Sequence, residues 1–303
     1  MIENRLTQIV CSVLFMADFA VSERCTIRPR SFDLIAVRDD RGLVIRISPH
    51  IDGITEEVAH DLDRVSRYLR MVPLIVGERA RDTPLRRGAV YLRYGIHAVS
   101  VATLHDYLVE HVPPLVYILP GGPYVNIDGS ELRRLREGHQ LSLGDLAHLL
   151  GVSRRAISKY ESGMGTSLDV AIRLEDLFDT DMVVPIDLFS YTSQFPQEEA
   201  MESPAIQAEL GRIGMKVHTV QRAPFEALVV FHEHRILTGY GTAERVVRRA
   251  SLIGNISRIV RTHAMCIIKD CDKEKKIGNT LVLGEKRLNW VEDGFELIEM
   301  IQK

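Results

Sequence analysis

Two arginines, Arg154 and Arg155, stand at the start of a segment whose residue types and spacing suit hydrogen bonding to the edges of DNA base pairs. A guanidinium group can donate two hydrogen bonds to the O6 and N7 atoms of guanine, which is the commonest specific contact in the major groove. Ser158 and Lys159 follow one helical turn later, where they suit contacts to phosphates or to peripheral bases. The sequence therefore predicts that the arginines read bases and that Ser158 and Lys159 fix the register.

The residues around these side chains predict two short helices joined by a tight turn. Ser142 can cap the first helix, with Asp145 in the acidic position of a capping box. Gly151 can end that helix in the left-handed conformation, and Ser153 can cap the second helix. The small side chain of Ala147 lets the two helices cross closely. The predicted unit is a helix-turn-helix, whose second helix presents its amino end to the major groove.

Neighbouring residues are expected to complete the domain. The preceding helix carries three arginines that we expect near the phosphate backbone: Arg133, Arg134 and Arg136. A fourth helix is predicted over 168–178, starting at Thr166 or Ser167. Its spacing places three side chains in the small core: Ala171, Leu174 and Leu177.

The segment 130–178 resembles the phage-repressor class of helix-turn-helix domains, the Cro and C1 family, over about fifty residues. The likeness is carried by Leu146-Ala147, Gly151-Val152-Ser153, the run from Ile157 to Gly163, and the following helix. The resemblance implies that Ser153, Arg154, Arg155, Ser158 and Lys159 line the DNA-facing surface. Two alternatives stay open, an ordinary antiparallel helix pair and a domain of the same fold that contacts only protein.

Length and charge limit what surrounds this unit. A chain of 303 residues should hold two or three domains. The net charge of −3 argues against a protein that coats nucleic acid indiscriminately, so DNA affinity must come from a local basic patch. No apolar run is long enough to span a bilayer and the start has no signal-peptide layout, so we expect a cytoplasmic protein. The spacing of the four cysteines suits reduced thiols rather than a zinc site.

The two flanks of the helix-turn-helix repeat one pattern. Each has an apolar hairpin (32–48 and 225–239), an amphipathic helix (55–69 and 243–260), an apolar strand (73–76 and 264–268) and a further short strand (98–101 and 280–283). This order predicts two small α/β domains that arose by internal duplication. The predicted fold is thus multidomain α/β, with domains at 1–120, 126–189 and 205–303 and a linker at 190–204. A break is expected at 119–123, and the charged run 270–276 is interpreted as a solvated loop.

The order of elements in each flank resembles the core of restriction-endonuclease-like and Holliday-junction-resolvase-like nucleases. In those enzymes an acidic residue on the first hairpin strand and an acidic-x-Lys triplet on the second bind a metal ion. Asp33 matches the first acid, and Glu226 matches it in the second copy. The second strands offer Ile45-Arg46-Ile47 and Ile236-Leu237-Thr238 instead, without a carboxylate or a lysine. Both copies are therefore predicted to be inactive, and no catalytic residue, metal ion or cofactor is predicted.

The whole arrangement also resembles a family of predicted archaeal transcriptional regulators of the helix-turn-helix type. The sequence segments that carry this likeness are 31–33, 50–53, 185–189 and 222–226. The resemblance implies a regulator of transcription that binds double-stranded DNA. Since one helix-turn-helix reads only a half-site, we expect a homodimer. Two other functions stay open, a metal-dependent structure-selective nuclease with a helix-turn-helix for targeting, and an adaptor that docks on transcription or repair machinery.

Overall fold

The computed structural model describes residues 2–196 and 204–303. The helices, numbered in chain order, are α1 (Ile2–Met16), α2 (Glu56–Leu69), α3 (Val101–Leu108), α4 (Gly129–Gly138), α5 (Leu143–Leu150), α6 (Arg154–Glu161), α7 (Leu168–Phe178), α8 (Pro204–Arg212), α9 (Ala243–Ile259), α10 (Glu285–Leu288) and α11 (Gly294–Gln302). The strands of the first part are β1 (Ala20–Val21), β2 (Leu34–Arg38), β3 (Arg41–His50), β4 (Val72–Ala80), β5 (Thr83–Pro84), β6 (Ala89–Arg93) and β7 (Ile96–Ser100). The central strands are β8 (Val116–Leu119), β9 (Gly122–Ile127), β10 (Thr166–Ser167) and β11 (Val183–Val184). The last part has β12 (Lys216–Thr219), β13 (Ala227–Phe231), β14 (His234–Gly241), β15 (His263–Ile268), β16 (Glu274–Ile277) and β17 (Thr280–Gly284).

The first α/β domain is a mixed sheet in the order β1-β2-β3-β4-β7-β6, with helices on both faces. The hairpin β2–β3 is antiparallel, and the crossover helix α2 leads to β4, which runs parallel to β3. Its central strands carry continuous apolar runs, at 43–45 in β3 and 72–76 in β4, because both faces of the sheet are covered there. One face packs against α2, and the other packs against α1 and α3.

The second α/β domain repeats this topology strand for strand, in the order β12-β13-β14-β15-β17-β16. The crossover helix α9 takes the place of α2, and β15 runs parallel to β14. The backbone register also repeats, since the Asp33 amide donates to the Ile45 carbonyl at 2.8 Å and the Glu226 amide donates to the Thr238 carbonyl at 2.9 Å. The predicted pair of duplicated α/β domains is confirmed.

The two α/β domains pair with each other inside one chain. The α2 side of the first sheet and the α9 side of the second merge into a single apolar core. The rings of Phe32 and Phe225, which occupy equivalent positions in the two copies, are both fully buried with centroids 6.4 Å apart. Around them the Ser31 amide donates to the Arg222 carbonyl at 2.7 Å, and the Tyr68 hydroxyl donates to the Leu228 carbonyl at 3.0 Å. The repeat thus forms a dimer-like body from one polypeptide.

The helix-turn-helix is attached to the first domain through its sheet. Strand β8 runs parallel to β6, β9 pairs with β8, and both β10 and β11 pair with β9. The segment 119–123, where a break is expected, is the turn of the β8–β9 hairpin. After β11 the chain returns to the first domain, where Ile186 and Leu188 join the core beneath α1 and α3. The helix-turn-helix is therefore held between two chain segments that both pack on the first α/β domain.

Two sequence expectations concern the second half of the chain. The charged run 270–276 is only in part a loop, because Glu274–Ile277 forms strand β16 at the edge of the second sheet. Its charged side chains suit an edge strand as well as they suit a solvated loop. The predicted linker, 190–204, begins as a segment in which Tyr191 and Phe195 pack on the first domain, and residues 197–203 lie outside the described residues.

Candidate nucleic-acid interface

Helix α5 starts and ends where its local sequence requires. The Ser142 hydroxyl accepts a hydrogen bond from the Asp145 amide at 3.1 Å, and the Asp145 carboxylate accepts one from the Ser142 amide at 2.9 Å. This reciprocal pair is the predicted capping box. Gly151 follows with φ of 64°, in the left-handed region where a Cβ atom is unfavourable. The chain reverses there and enters the next helix within three residues.

Helix α6 is the predicted recognition helix. Its first turn is capped by the Ser153 hydroxyl, which accepts from the Ala156 amide at 3.1 Å. Ile157 is fully buried in a core that includes Leu146 and Leu150 of α5. Ala147 is also buried, at the crossing where a small side chain was expected. This core fixes which face of α6 points away from the domain.

The outward face of α6 carries all five predicted DNA-contacting positions of the helix. These exposed residues are Ser153, Arg154, Arg155, Ser158 and Lys159. Within the described part of the chain, neither arginine nor the lysine forms an ion pair. The charges of Arg154 and Arg155 add to the partial positive charge at the amino end of the helix, whereas Lys159 lies in its last turn. The arrangement can bind an anion or the acceptor edge of a base.

The arginines of α4 divide into two kinds. Arg133 and Arg134 are exposed, as expected, but each lies beside an acid: Arg133 Nε is 3.6 Å from a Glu161 carboxylate oxygen, and Arg134 Nε donates to Glu131 at 2.7 Å. The hydrogen bond from Arg134 lowers the pKa of the Glu131 carboxyl. To contact a DNA phosphate, either arginine must therefore first leave the carboxylate beside it.

The structure contradicts the expectation that Arg136 lies near the phosphate backbone. It is buried rather than directed at the phosphate backbone, and its guanidinium pairs with Glu161 at the end of α6, with Nη2 3.1 Å from Oε2. Its Nη1 also donates to the Leu141 carbonyl at 3.0 Å. The hydrogen bond to Glu161 raises the pKa of Arg136. Arg136 thus clamps α4 to the recognition helix.

Helix α7 closes the small core, with one difference from the expected pattern. Ser167 caps it by accepting from the Val170 amide at 3.4 Å, while Thr166 pairs with β9. Ala171 and Leu174 are buried as predicted. Leu177 is 39% exposed, and Phe178 fills the core in its place. The prediction for Leu177 is wrong because the helix is rotated so that its apolar stripe runs through Val170, Leu174 and Phe178.

The acid that the first hairpin shares with nucleases is neutralised by arginines. The Asp33 carboxylate is fully buried and accepts from Arg30 Nε at 2.7 Å, from Arg46 Nη1 at 3.2 Å and from the Ile47 amide at 2.8 Å. Arg46 is the middle residue of Ile45-Arg46-Ile47, the segment that takes the place of the metal-binding triplet, and it supplies a cation beside Asp33. A divalent ion needs further oxygen ligands and would lie beside two guanidinium cations. The residues present therefore do not fit a metal ion.

Glu226 repeats this arrangement in the second copy. One carboxylate oxygen accepts from the Tyr240 amide at 2.8 Å, the equivalent of Ile47, and the other pairs with Arg249 and with Arg245 at 2.9 Å. In both copies the acid joins a strand amide to cationic side chains. Across the described residues, no group of three His, Cys, Asp or Glu side chains comes together as a metal site.

Two features of the site were not predicted from the sequence. Glu161, the partner of Arg136, is separated from it by 25 positions. The β8–β9 hairpin was also missed, although its strands alternate around a Pro-Gly-Gly turn. Alternation around a glycine turn is the signal that could have identified the hairpin.

Comparisons with known proteins agree with this geometry. A family model described as "PD-(D/E)XK superfamily domain" matches residues 3–114, and one described as "Helix-turn-helix" matches residues 132–184. The chain is 53% identical over 304 residues to a protein of Methanoculleus marisnigri, with 100% of each chain covered. It is 56% identical to a protein of Methanosphaerula palustris, with 99% of each chain covered, and 38% identical to one of Methanocella arvoryzae, with 99% of this chain and 96% of the relative covered. All three relatives carry the name "Putative HTH-type transcriptional regulatory protein". No solved structure matches the chain.

In the ranges 2–196 and 204–303, no helix combines the length and the hydrophobicity needed to cross a bilayer.

Proposed function

The chain belongs to the archaeal family of HTH-type transcriptional regulatory proteins, and from this premise we propose that it is a sequence-specific DNA-binding regulator that reads the major groove with α6. In this proposal Arg154 and Arg155 contact base edges, and Ser153, Ser158 and Lys159 contact the backbone or flanking bases. Arg133 and Arg134 approach the adjoining phosphates. The protein acts in the cytoplasm, where its DNA is.

One observation carries the proposal: the exposed face of α6 presents three cations that pair with no acid of the described chain. Most other arginines near the helix-turn-helix are paired, as Arg134, Arg136 and Arg173 are. Three exposed cations that form no ion pair within the described chain can bind an anionic partner without first breaking an internal ion pair. The buried core beneath α6 holds this face in one orientation, which base reading requires.

We propose that the protein binds DNA as a homodimer. One recognition helix covers only half of a symmetric site, and pairing two half-sites is the usual way to gain affinity. The two α/β domains already cover each other through Phe32 and Phe225 within one chain. The proposed dimer must therefore use a surface other than this internal interface.

We propose that the α/β domains do not catalyse cleavage. The match to the PD-(D/E)XK family favours a nuclease as the second candidate. The environment of Asp33 argues against it, because both carboxylate oxygens bind guanidinium groups and a backbone amide. An assay with supercoiled and branched DNA in the presence of Mg²⁺ or Mn²⁺ separates the two candidates, since cleavage that is lost in Asp33→Asn would support the nuclease.

The regulator proposal is tested by selecting sites from a random pool of double-stranded DNA and titrating the selected and scrambled sites with salt. The test variant is the double change Arg154→Ala and Arg155→Ala. The matched control is Arg248→Ala with Arg287→Ala, two exposed arginines of the second α/β domain.

We expect the wild type and the control to prefer the selected site, and the test variant to lose about 1–3 kcal/mol of preference per arginine while keeping a salt-sensitive residual affinity. Equal binding of selected and scrambled DNA by all three proteins would refute base reading by α6.

A further inference from the structure

A cavity of about 480 Å³ lies where the helix-turn-helix meets the first α/β domain. The strands β6 and β7 contribute Leu92 and His97, and the segment after β11 crosses it with residues 190–194. The turn that follows α6 contributes Met164, whose amide donates to the Lys159 carbonyl at 3.0 Å. The cavity therefore touches the turn that follows the recognition helix, the sheet and the returning chain at once.

One face of the β8–β9 hairpin forms a wall of this cavity. Tyr117 and Tyr124 are cross-strand partners, and Asn126 follows Tyr124 on the same face. The opposite face of β9 places Val125 and Ile127 in the core of the helix-turn-helix. A molecule that contacts the tyrosines thus presses on a strand that also supports the DNA-binding core.

The lining is aromatic and uncharged. Among the described residues that line the cavity there is no Asp, Glu, Lys or Arg side chain. His97 is more than nine-tenths buried, its Nδ1 has no hydrogen-bond partner among the described residues, and burial lowers its pKa, which favours the neutral ring. A charged ligand would lose its hydration here without gaining a counter-charge.

The polar groups of the cavity suit a ligand that combines a ring with hydroxyl groups. The flat faces of Tyr117 and Tyr124 can stack on a heteroaromatic base. The amides of Asn126 and Gln194 each offer a donor and an acceptor, and Ser190 and Thr192 offer hydroxyls. The volume falls within the usual range for small-molecule sites.

We infer that this cavity binds a free, uncharged nucleoside, and that its occupancy changes the DNA affinity of the helix-turn-helix. The second half of the inference rests on the proposed function. The physical link is short: β9 lines the cavity, and its residue Val125 pairs with Thr166, directly before the cap of α7. The ligand shifts the equilibrium only if it binds more tightly to one orientation of α6 than to another.

The first arm of the test measures ligand binding without DNA. Isothermal titration calorimetry of the full chain is carried out with adenosine, guanosine, cytidine and uridine, and with the 5′-monophosphate of each. We expect saturable binding of at least one nucleoside, with its monophosphate at least about tenfold weaker. The absence of binding by all four nucleosides, or equal binding of the charged forms, would overturn the inference.

Variants locate the site. Tyr124→Leu removes a stacking face, and Gln194→Ala removes an amide from an exposed position whose change leaves the core intact. Trp290→Leu is the matched control, because this aromatic residue is 77% exposed and lies in the second α/β domain. We expect Tyr124→Leu and Gln194→Ala each to weaken nucleoside binding at least about tenfold, and Trp290→Leu to leave it unchanged. Unchanged binding in both cavity variants would place the nucleoside elsewhere and overturn the inference.

The second arm measures affinity for the selected DNA with and without the bound nucleoside. A change of at least about fivefold in the dissociation constant, absent in Gln194→Ala, supports the coupling. Nucleoside binding with identical DNA affinity would refute it. If the wild type shows no preference for the selected DNA even without nucleoside, the proposed function fails instead, and the calorimetric result stands by itself.

Discussion

Replacing Asp33 with asparagine should destabilise the first α/β domain rather than remove an activity. The Asp33 carboxylate is fully buried between Arg30, whose side chain is 7% exposed, and Arg46, whose side chain is 20% exposed. The asparagine side chain has the same shape but no charge. Both guanidinium groups would then lose the negative charge of Asp33 in a poorly hydrated site.

The magnitude follows from this burial. Breaking a buried ion pair from one side costs about 3–5 kcal/mol, and we expect about 3 kcal/mol because Arg46 retains some contact with water. Since 1.4 kcal/mol is a factor of ten, local opening should become roughly a hundredfold more frequent. The equivalent change Glu226→Gln should cost less, about 1–2 kcal/mol, because the Glu226 side chain is 20% exposed and one of its two arginines, Arg245, is 55% exposed, although the other, Arg249, is only 13% exposed.

Amide hydrogen exchange is the suitable assay, because a chain with several domains need not unfold in one step. The informative amide is that of Ile47, which donates to Asp33 in the native protein. Protection of β2 and β3 should fall in Asp33→Asn, while protection of β13 and β14 should stay close to wild type. Unchanged protection together with the loss of a divalent-metal-dependent cleavage would refute the structural role given to Asp33.

Changes at four other positions test other parts of the structure. Gly129→Ala should lower both the melting temperature and the affinity for selected DNA, because its Cβ would lie 2.4 Å from a backbone carbonyl oxygen at the end of α6; a wild-type melting curve would contradict the close approach of α4. Gly151→Ala should cost about 1 kcal/mol in thermal unfolding for backbone reasons alone, since the nearest described atom outside the adjoining residues, Arg173 Nη1, lies 3.8 Å from the added Cβ, and Gly151→Asn should cost less. Phe225→Ala should cost about 3–5 kcal/mol in denaturant unfolding because it empties the core between the two α/β domains; a cost under about 1 kcal/mol would show that the domains do not pair in this way. Burial lowers the pKa of His97 below 6.5, so the folded protein binds this proton less well than the unfolded chain and stability falls as pH drops below that value. His97→Asn should therefore lose less stability than wild type between about pH 7 and pH 5 in thermal unfolding, and equal losses would contradict the shift.

The accuracy of the sequence predictions follows the range of the interactions involved. The capping box at Ser142 and the turn at Gly151 depend on residues within a few positions of one another, and both are confirmed. The repeated α/β pattern was also readable, because each strand is apolar and bounded by turns. The burial of Arg136 could not be predicted from the sequence, because its partner Glu161 lies in a different helix. The pairing of Phe32 with Phe225 depends on two domains meeting across most of the chain, and local pattern holds no information on that.

The exposed edge of strand β16 marks a difference between the two otherwise similar α/β domains. In the first copy the equivalent strand, β6, pairs with β8, and the helix-turn-helix is attached to the sheet there. In the second copy the same flank of β16 ends the sheet and carries Glu274, Lys275 and Lys276 in exposed positions. Charged side chains on such a flank discourage a foreign strand from adding to it. The same edge of the sheet thus carries the helix-turn-helix in the first copy and remains an exposed edge in the second, so that the described part of each chain presents one helix-turn-helix instead of two.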